Sequence, residues 1–326
     1  MGFHIAIIGA GQIGSRHLQA LKRIDRNVAI SVIDKNAQSL KLAQERFEEV
    51  DFNVHVQSVS YSEKLNSLDH DVDIAIVATN ADVRRRVVEQ LLQHAQVRFL
   101  ILEKVVFQSN ADFEVIIDLL DAKKIKTWVN CPRRMYPFYQ EMKKRFYADE
   151  NIFFNLFGGG WGLACNSIHF LDLFSYITGH NRILLNGSGL DRSIQQHKRQ
   201  GFKEFTGILR GETDDGSAIS LLDYHRTVAP SIIHIHGKNS SFIIFENQGK
   251  ALIAQSDNDW AWQEVTFSKP YQSQLTHLVV QQILDTGDCV LTPLEESFRI
   301  HKPMLETFIT HLENVTGKQH ETCPIT

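Results

Sequence analysis

Short apolar runs alternate with amphipathic stretches through the first 130 residues. "FHIAIIG", "VAISVID", "VHVQ", "VDIAIVAT" and "VRFLILEKVV" read as strands. Between them, "QIGSRHLQALKRI", "AQSLKLAQERFEE" and "ADVRRRVVEQLLQHA" carry the three-to-four residue spacing of helices. Continuous apolar strands separated by helices predict a parallel sheet covered on both faces, and short right-handed crossovers make it a doubly wound α/β fold. The pattern then changes. "RILLNGSGL", "FKEFTGILRGETDDGSAISLLDYH", "SIIHIHG", "SSFIIFENQGKALIAQ" and "AWQEVTF" are strand-like runs joined by turn residues, with Asp215-Gly216 a hairpin signal. They predict an antiparallel meander with one solvated face. "QSQLTHLVVQQILDTG" and "LEESFRIHKPMLETFITHLENVTG" close the chain as helices. The predicted domains are residues 1–130 and 131–326.

Composition narrows the class. At 326 residues and 43% hydrophobic content the chain is long enough for two cores. Lys and Arg number 34 against 38 Asp and Glu, a net charge of −4, which argues against nucleic acid as a partner. Cys131, Cys165, Cys289 and Cys323 show no paired spacing, as expected of a reduced, cytoplasmic protein. No apolar run has the length of a membrane span, and "FHIAIIGAG" follows Met1 without the basic segment of a secretory signal.

"IIGAGQIGSRH" places Gly9, Gly11 and Gly14 in G-x-G-x-x-G spacing between a strand and a helix. Gly9 suits the tight turn, Gly11 the close approach of a pyrophosphate, and Gly14 the packing of helix on strand. The N–H groups and dipole of the helix N-terminus attract phosphates. Asp34 ends the second strand, twenty residues after Gly14. A carboxylate there accepts from ribose hydroxyls and repels a 2′-phosphate, so NAD is expected before NADP, although Lys35 follows immediately.

Four stretches in order then resemble the Gfo/Idh/MocA family, named after glucose-fructose oxidoreductase and inositol dehydrogenase. They are "GAGQIGSRH" with His17, "VATNADVRRRVVEQLL", "ILEKVV" with Glu103-Lys104, and "GGGWGLACNSIHFLDLFSYITG". The tail segments "LTPLEESFRIHKPMLETF" and "CPIT" are similar too. The resemblance implies a Rossmann domain followed by a C-terminal α/β domain with a large, open, mostly antiparallel sheet, and a homodimer or homotetramer. It implies a nicotinamide cofactor held by Gly9, Gly11, Gln12, Ile13, Gly14, Asp34, Thr79, Asn80, Glu103 and Lys104. It also implies a sugar or cyclic polyol substrate, with Lys104 reaching nicotinamide and substrate and His169 shuttling the hydroxyl proton. Val105 and Asn80 stand where the family has prolines, and Arg84 where a histidine is common. Cys165 replaces the aspartate of Asp-x-x-x-His.

A helix over Leu163–Phe174 puts Cys165, His169 and Asp172 on one face. Alcohol oxidation needs a base at the hydroxyl, which histidine supplies, and an ammonium such as Lys104 polarises the oxygen. Asp172 orients His169 or caps a backbone group; Cys165 is a small core residue or pocket wall. Of Arg133 and Arg134 one is expected to meet an anionic substrate group and the other to be solvated, with Arg134 the substrate candidate. Asn130 and Tyr136 are placed to reach the cleft, and His225 to line the substrate face. "VRRRVV" reads as a solvated charged face. His234 and His236 share a strand face but bring no third ligand, so no metal is expected. The function expected is an NAD(P)-dependent oxidoreductase acting on a sugar or sugar-derived polyol. Two alternatives stay open: a dehydrogenase of a nucleotide-linked sugar or amino-sugar acid, and a non-catalytic dinucleotide-binding sensor of the same fold.

Overall fold

A computed structural model describes residues 2–68, 70–146, 151–224 and 227–326. The chain forms two compact units. The first holds residues 1–107, 111–132 and 270–294; the second holds 108–110, 133–269 and 295–326. The chain leaves the first unit after residue 132 and returns to it for residues 270–294, which carry the helix Thr276–Thr286.

In the first unit, strands β1 (Phe3–Ile8), β2 (Val28–Ile33), β3 (Val56–Ser62), β4 (Asp71–Val77), β5 (Gln96–Glu103) and β6 (Lys126–Asn130) pair in the order β6-β5-β4-β1-β2-β3, all parallel. Thr292–Pro293 adds a short antiparallel edge beside β6. Helices α1 (Gly14–Leu21), α2 (Ala37–Glu48), α3 (Ala81–His94) and α4 (Asn110–Ala122) connect the strands. The winding direction reverses between β1 and β4, and such a switch point, at the carboxyl ends of the strands, is where doubly wound sheets bind ligands. Ile5, Ala6 and Ile7 of β1 are fully buried, which explains their unbroken apolar run. The third strand differs from its expected position at "VHVQ": it covers Val56–Ser62, a serine-rich edge with exposed side chains and no apolar run to mark it. Helix α4 and strand β6 lie outside the predicted elements, although Phe113, Ile116 and Leu120 form a buried helical stripe.

The second unit begins with α5 (Pro137–Lys143), then β7 (Phe153–Gly159) and α6 (Leu163–Thr178). Strands β8 (Leu184–Leu190), β9 (Gln195–Gln196), β10 (Lys203–Glu204), β11 (Gly207–Glu212), β12 (Ala218–Tyr224), β13 (Ala229–His236), β14 (Ser240–Phe245), β15 (Lys250–Gln255) and β16 (Gln263–Thr266) follow. Eight of them form one sheet, ordered β16-β15-β14-β13-β7-β12-β11-β8, while β9 and β10 make a separate hairpin. The expected meander is corrected in one respect: β7 sits in mid-sheet and runs parallel to β12. Its residues alternate, with Phe154 and Leu156 buried while Phe153 and Phe157 are 48% and 41% exposed. Phe154 meets Phe174 of α6 edge-on at 6.3 Å, so α6 covers the buried face. Among the described residues no helix is long and apolar enough to cross a membrane.

Candidate active site

The glycine loop behaves as its spacing requires. Gly9 has φ +96°, and a Cβ there would lie 2.9 Å from the Ala78 carbonyl carbon. A Cβ on Gly14 would sit 1.8 Å from the Gly9 carbonyl oxygen, so the turn closes only on glycine. At Gly11 a Cβ would meet nothing within 4 Å. The protein's own packing leaves this third position open, which is the space that a pyrophosphate needs. Asp34 faces the same loop: its Oδ2 accepts the Ala10 N–H at 2.7 Å and its Oδ1 the Asn36 N–H at 2.8 Å. The carboxylate is thus oriented by backbone and keeps lone pairs for ribose hydroxyls. Gln12 joins α2 through Arg46, which donates to Gln12 Oε1 at 2.7 Å and to the Gln12 carbonyl at 3.1 Å. These residues fit a dinucleotide, with the loop from Gly9 to Gly14 for its phosphates and Asp34 for its adenosine ribose.

At the carboxyl end of β5, Glu103 is buried in a closed ring of hydrogen bonds. His17 Nε2 lies 2.9 Å from Glu103 Oε1, and His17 Nδ1 lies 2.8 Å from Thr276 Oγ1. Gln272 Nε2 donates to Thr276 Oγ1, and Asn130 Nδ2 donates to both Gln272 Oε1 and Glu103 Oε1. Burial alone would raise the Glu103 carboxyl, but His17, Asn130 and the neighbouring Lys104 charge hold it below its ordinary range. Asn130, expected at a cleft, thus serves to fix Glu103, and Thr276 and Gln272 are members that no motif indicated. Lys104 follows directly, and its peptide bond to Val105 is cis.

Arg84 corrects the reading of "VRRRVV". Arg84 is only 1% exposed, and its guanidinium donates to the carbonyls of Thr79, Val105 and Val106. A delocalised cation with five donors can satisfy several backbone acceptors at once, which makes its burial tolerable. The side chain ties the loop after β4 to the backbone just beyond Lys104. Of the run, Arg85 bonds Glu89 and Asp112, and Arg86 is exposed.

In the second unit the segment carrying His169 is helical as expected. Gly162 and Gly179, with φ of +83° and +79°, bound α6. Two carboxylates hold its N-terminus. Asp223 accepts the N–H groups of Gly160, Gly162 and Leu163 at 2.6, 2.8 and 3.1 Å, and Glu204 accepts that of Ala164. Burial nonetheless leaves both carboxyls above their ordinary range. His169 is half-buried on α6. Asp172 is buried and accepts from Arg134 Nε at 2.9 Å. Arg134 also reaches Glu296 at 2.7 Å.

The expectation that one of Arg133 and Arg134 is solvated is overturned, because both are held in ion pairs. Arg133 makes a fork to Glu246, with both N–H···O distances 2.9 Å. Tyr139 and Lys269 reach the same carboxylate at 2.8 and 3.1 Å. Tyr136 is buried and stacks on Tyr139 at 6.0 Å. His225 lies outside the described residues. His234 approaches Ser241 Oγ at 3.2 Å, and His236 stacks on Trp260. Among the described residues the donors of Cys165, His197 and Glu204 all lie within 4.8 Å of one another. Sequence spacing gives no hint of that group, because the β9–β10 hairpin brings two of its members to α6.

Glu246 supplies a pH prediction. Burial pushes its carboxyl up, but Arg133, Lys269 and the Tyr139 hydroxyl overcome this and hold it at about 2. A carboxyl depressed on folding stabilises the native state above its unfolded value and loses that contribution as pH falls through its folded value. Between about pH 5 and pH 2 the chain should lose on the order of 2–3 kcal/mol from this group. Urea midpoints for wild type and Glu246→Gln should converge as pH falls; a constant difference would remove Glu246 as the cause.

Residues 3–131 match the model of the oxidoreductase family with an NAD-binding Rossmann fold. No curated protein sequence matches the chain significantly. Solved structures share the fold at low identity. UDP-N-acetylglucosamine 3-dehydrogenase GnnA from Acidithiobacillus ferrooxidans is 14% identical with a TM-score of 0.68, covering 94% of this chain and 97% of that one. An oxidoreductase from Agrobacterium radiobacter, in complex with NAD+, L-tartaric acid and magnesium, is 18% identical with a TM-score of 0.68 and 98% of both chains covered. A super-repressor mutant of Gal80p from Saccharomyces cerevisiae is 14% identical with a TM-score of 0.71, covering 96% of this chain and 97% of that one. The glycine loop and the Glu103-Lys104 pair both fall inside residues 3–131, the stretch that matches the NAD-binding Rossmann domain of the Gfo/Idh/MocA oxidoreductase family.

Proposed function

We propose that the protein is an NAD-dependent oxidoreductase acting on a CH–OH group of a sugar or sugar-derived polyol. The observation that carries the reading is the placement of Lys104. It leaves the sheet at the carboxyl end of β5, the strand beside β4 of the β1/β4 switch point, and its neighbour Glu103 is locked by His17 and Asn130. The nicotinamide, when bound, supplies the hydride acceptor or donor. Lys104 holds charge on the reacting oxygen, and His169 takes or returns the hydroxyl proton. Cys165 does not remove every carboxylate from the neighbourhood of α6, because Glu204 lies within 4.8 Å of its sulfur. The exposed Phe153 and Phe157 on the open sheet face support a homo-oligomer. A screen of sugars, polyols and their acids, following NADH absorbance, should find turnover with at least one class. Dinucleotide binding without turnover across the screen would instead favour the sensor reading, which the Cys165 replacement and the fold shared with Gal80p support.

Asp34 sets the cofactor preference. Asp34→Ala removes a carboxylate positioned by the Ala10 and Asn36 amides. NAD affinity should fall at least about tenfold, since hydrogen bonds to a charged group contribute roughly 1.5–3 kcal/mol, and discrimination against NADP should relax. Fluorescence titration with both dinucleotides checks this; a wild type that prefers NADP would overturn the role given to Asp34.

A further inference from the structure

We propose that Cys165, His197 and Glu204 form a binding site for a zinc-type divalent cation. Cys165 is buried in the first turn of α6, while His197 and Glu204 come from the β9–β10 hairpin. One thiol, one imidazole and one carboxylate are the ligand types that zinc takes, and the thiol disfavours the hard cations magnesium and calcium. Three protein donors leave a fourth tetrahedral position for water or an exogenous group.

The surroundings orient the donors. Glu204 Oε1 is occupied by the amides of Ala164 and Phe205. Its Oε2 is buried and makes no hydrogen bond among the described residues, so this oxygen is the one left for a cation. Such fixing of one carboxylate oxygen is how outer contacts aim a metal ligand. His197 Nδ1 accepts the Arg199 N–H at 3.1 Å in an exposed turn, a contact that water can replace if that nitrogen binds the ion. Cys165 Sγ lies 3.8 Å from the Lys203 carbonyl, so the thiol already faces the hairpin.

Tetrahedral zinc with ordinary bond lengths separates such donors by about 3.4–3.6 Å. The present separations, within 4.8 Å, must therefore contract on binding. The His197 side of the hairpin is the part that adjusts, because it lies in an exposed loop, whereas Glu204 is held by the Ala164 and Phe205 amides, β10 is tied to the Pro324 carbonyl through the Lys203 N–H, and α6 is packed on the large sheet. Binding converts the Cys165 thiol to thiolate and releases its proton to solvent. The ion would fasten the hairpin to the N-terminal turn of the helix that carries His169.

Cobalt(II) is the probe, because a thiolate ligand gives a charge-transfer band in the near ultraviolet and tetrahedral geometry gives intense visible bands. The full chain, stripped with a chelator and carrying Cys289→Ser to remove the half-buried Cys289 thiol, is titrated with cobalt(II) and then with zinc(II). One cobalt per chain with both bands, displaced by zinc, is expected. Cys165→Ser should abolish the charge-transfer band. His197→Gln, a substitution on a surface hairpin that leaves the core intact, should weaken cobalt binding at least about tenfold, in line with the loss of a metal ligand. No charge-transfer band, a band that survives in Cys165→Ser, or affinity unchanged in His197→Gln would each overturn the site. The readout involves neither dinucleotide nor turnover, so it stands or falls separately from the oxidoreductase reading.

Discussion

His169→Asn should lower turnover by roughly 10²–10⁴, the range for loss of a general acid or base. Dinucleotide affinity should change little, because the residues assigned to the dinucleotide lie in the other unit. The helix should survive the change. Its ends are set by Gly162 and Gly179, and its N-terminus is held by Asp223 and Glu204. The limb of the pH–rate profile due to the imidazole should disappear with it, a change that a packing defect would not produce. Wild-type turnover and an unaltered profile in the variant would remove His169 from the reaction.

Position 165 sharpens the test. Restoring the family's aspartate by Cys165→Asp looks like a repair, but Glu204 already places a carboxylate within 4.8 Å of the sulfur. A second one would meet a like charge in partly buried surroundings, which raises carboxyl pKa values and costs stability. Cys165→Asp is therefore expected to unfold at lower urea than Cys165→Ser, with no gain in rate.

The elements that sequence made legible are those whose signal is local. The glycine loop could be read because strand, turn and helix constrain one another within a dozen residues, and Gly9 and Gly14 show the contacts that exclude any other side chain. Asp34 followed from the same motif. Helix α6 was legible from its apolar spacing and its closing glycine. Polar burial was not legible, because a charged residue looks solvated until its partner is known. Arg133 finds Glu246 across 113 positions, and Arg134 finds Glu296 across 162. Arg84 is harder still, since its partners are backbone carbonyls, which every sequence supplies and none advertises. Glu204 reaches the N-terminus of α6 from a two-residue strand too short to leave a periodic pattern. The central position of β7 was hidden because a parallel partner, β12, is separated from it by a helix and several strands.

Lys104→Met should reduce turnover a hundred- to a thousandfold while leaving dinucleotide affinity nearly intact. The substitution keeps most of the stem and deletes the charge. A preorganised cation is most effective where charge develops in the transition state, and removing one such group costs about 3–4 kcal/mol. Preorganisation here comes from both sides of the residue. Glu103 before it is fixed by His17 and Asn130, and the carbonyls of Val105 and Val106 after it are held by buried Arg84. Because the ammonium acts on charge that appears during reaction, kcat and kcat/KM should fall together. A rise in KM at constant kcat would mean that Lys104 only binds the ground state. Lys104→Arg separates charge from shape: it retains the positive charge but replaces a compact ammonium with a wider planar fork. It should recover only part of the lost rate. Full activity in Lys104→Met would leave the lysine a structural residue and would take the proposed hydride-transfer chemistry with it.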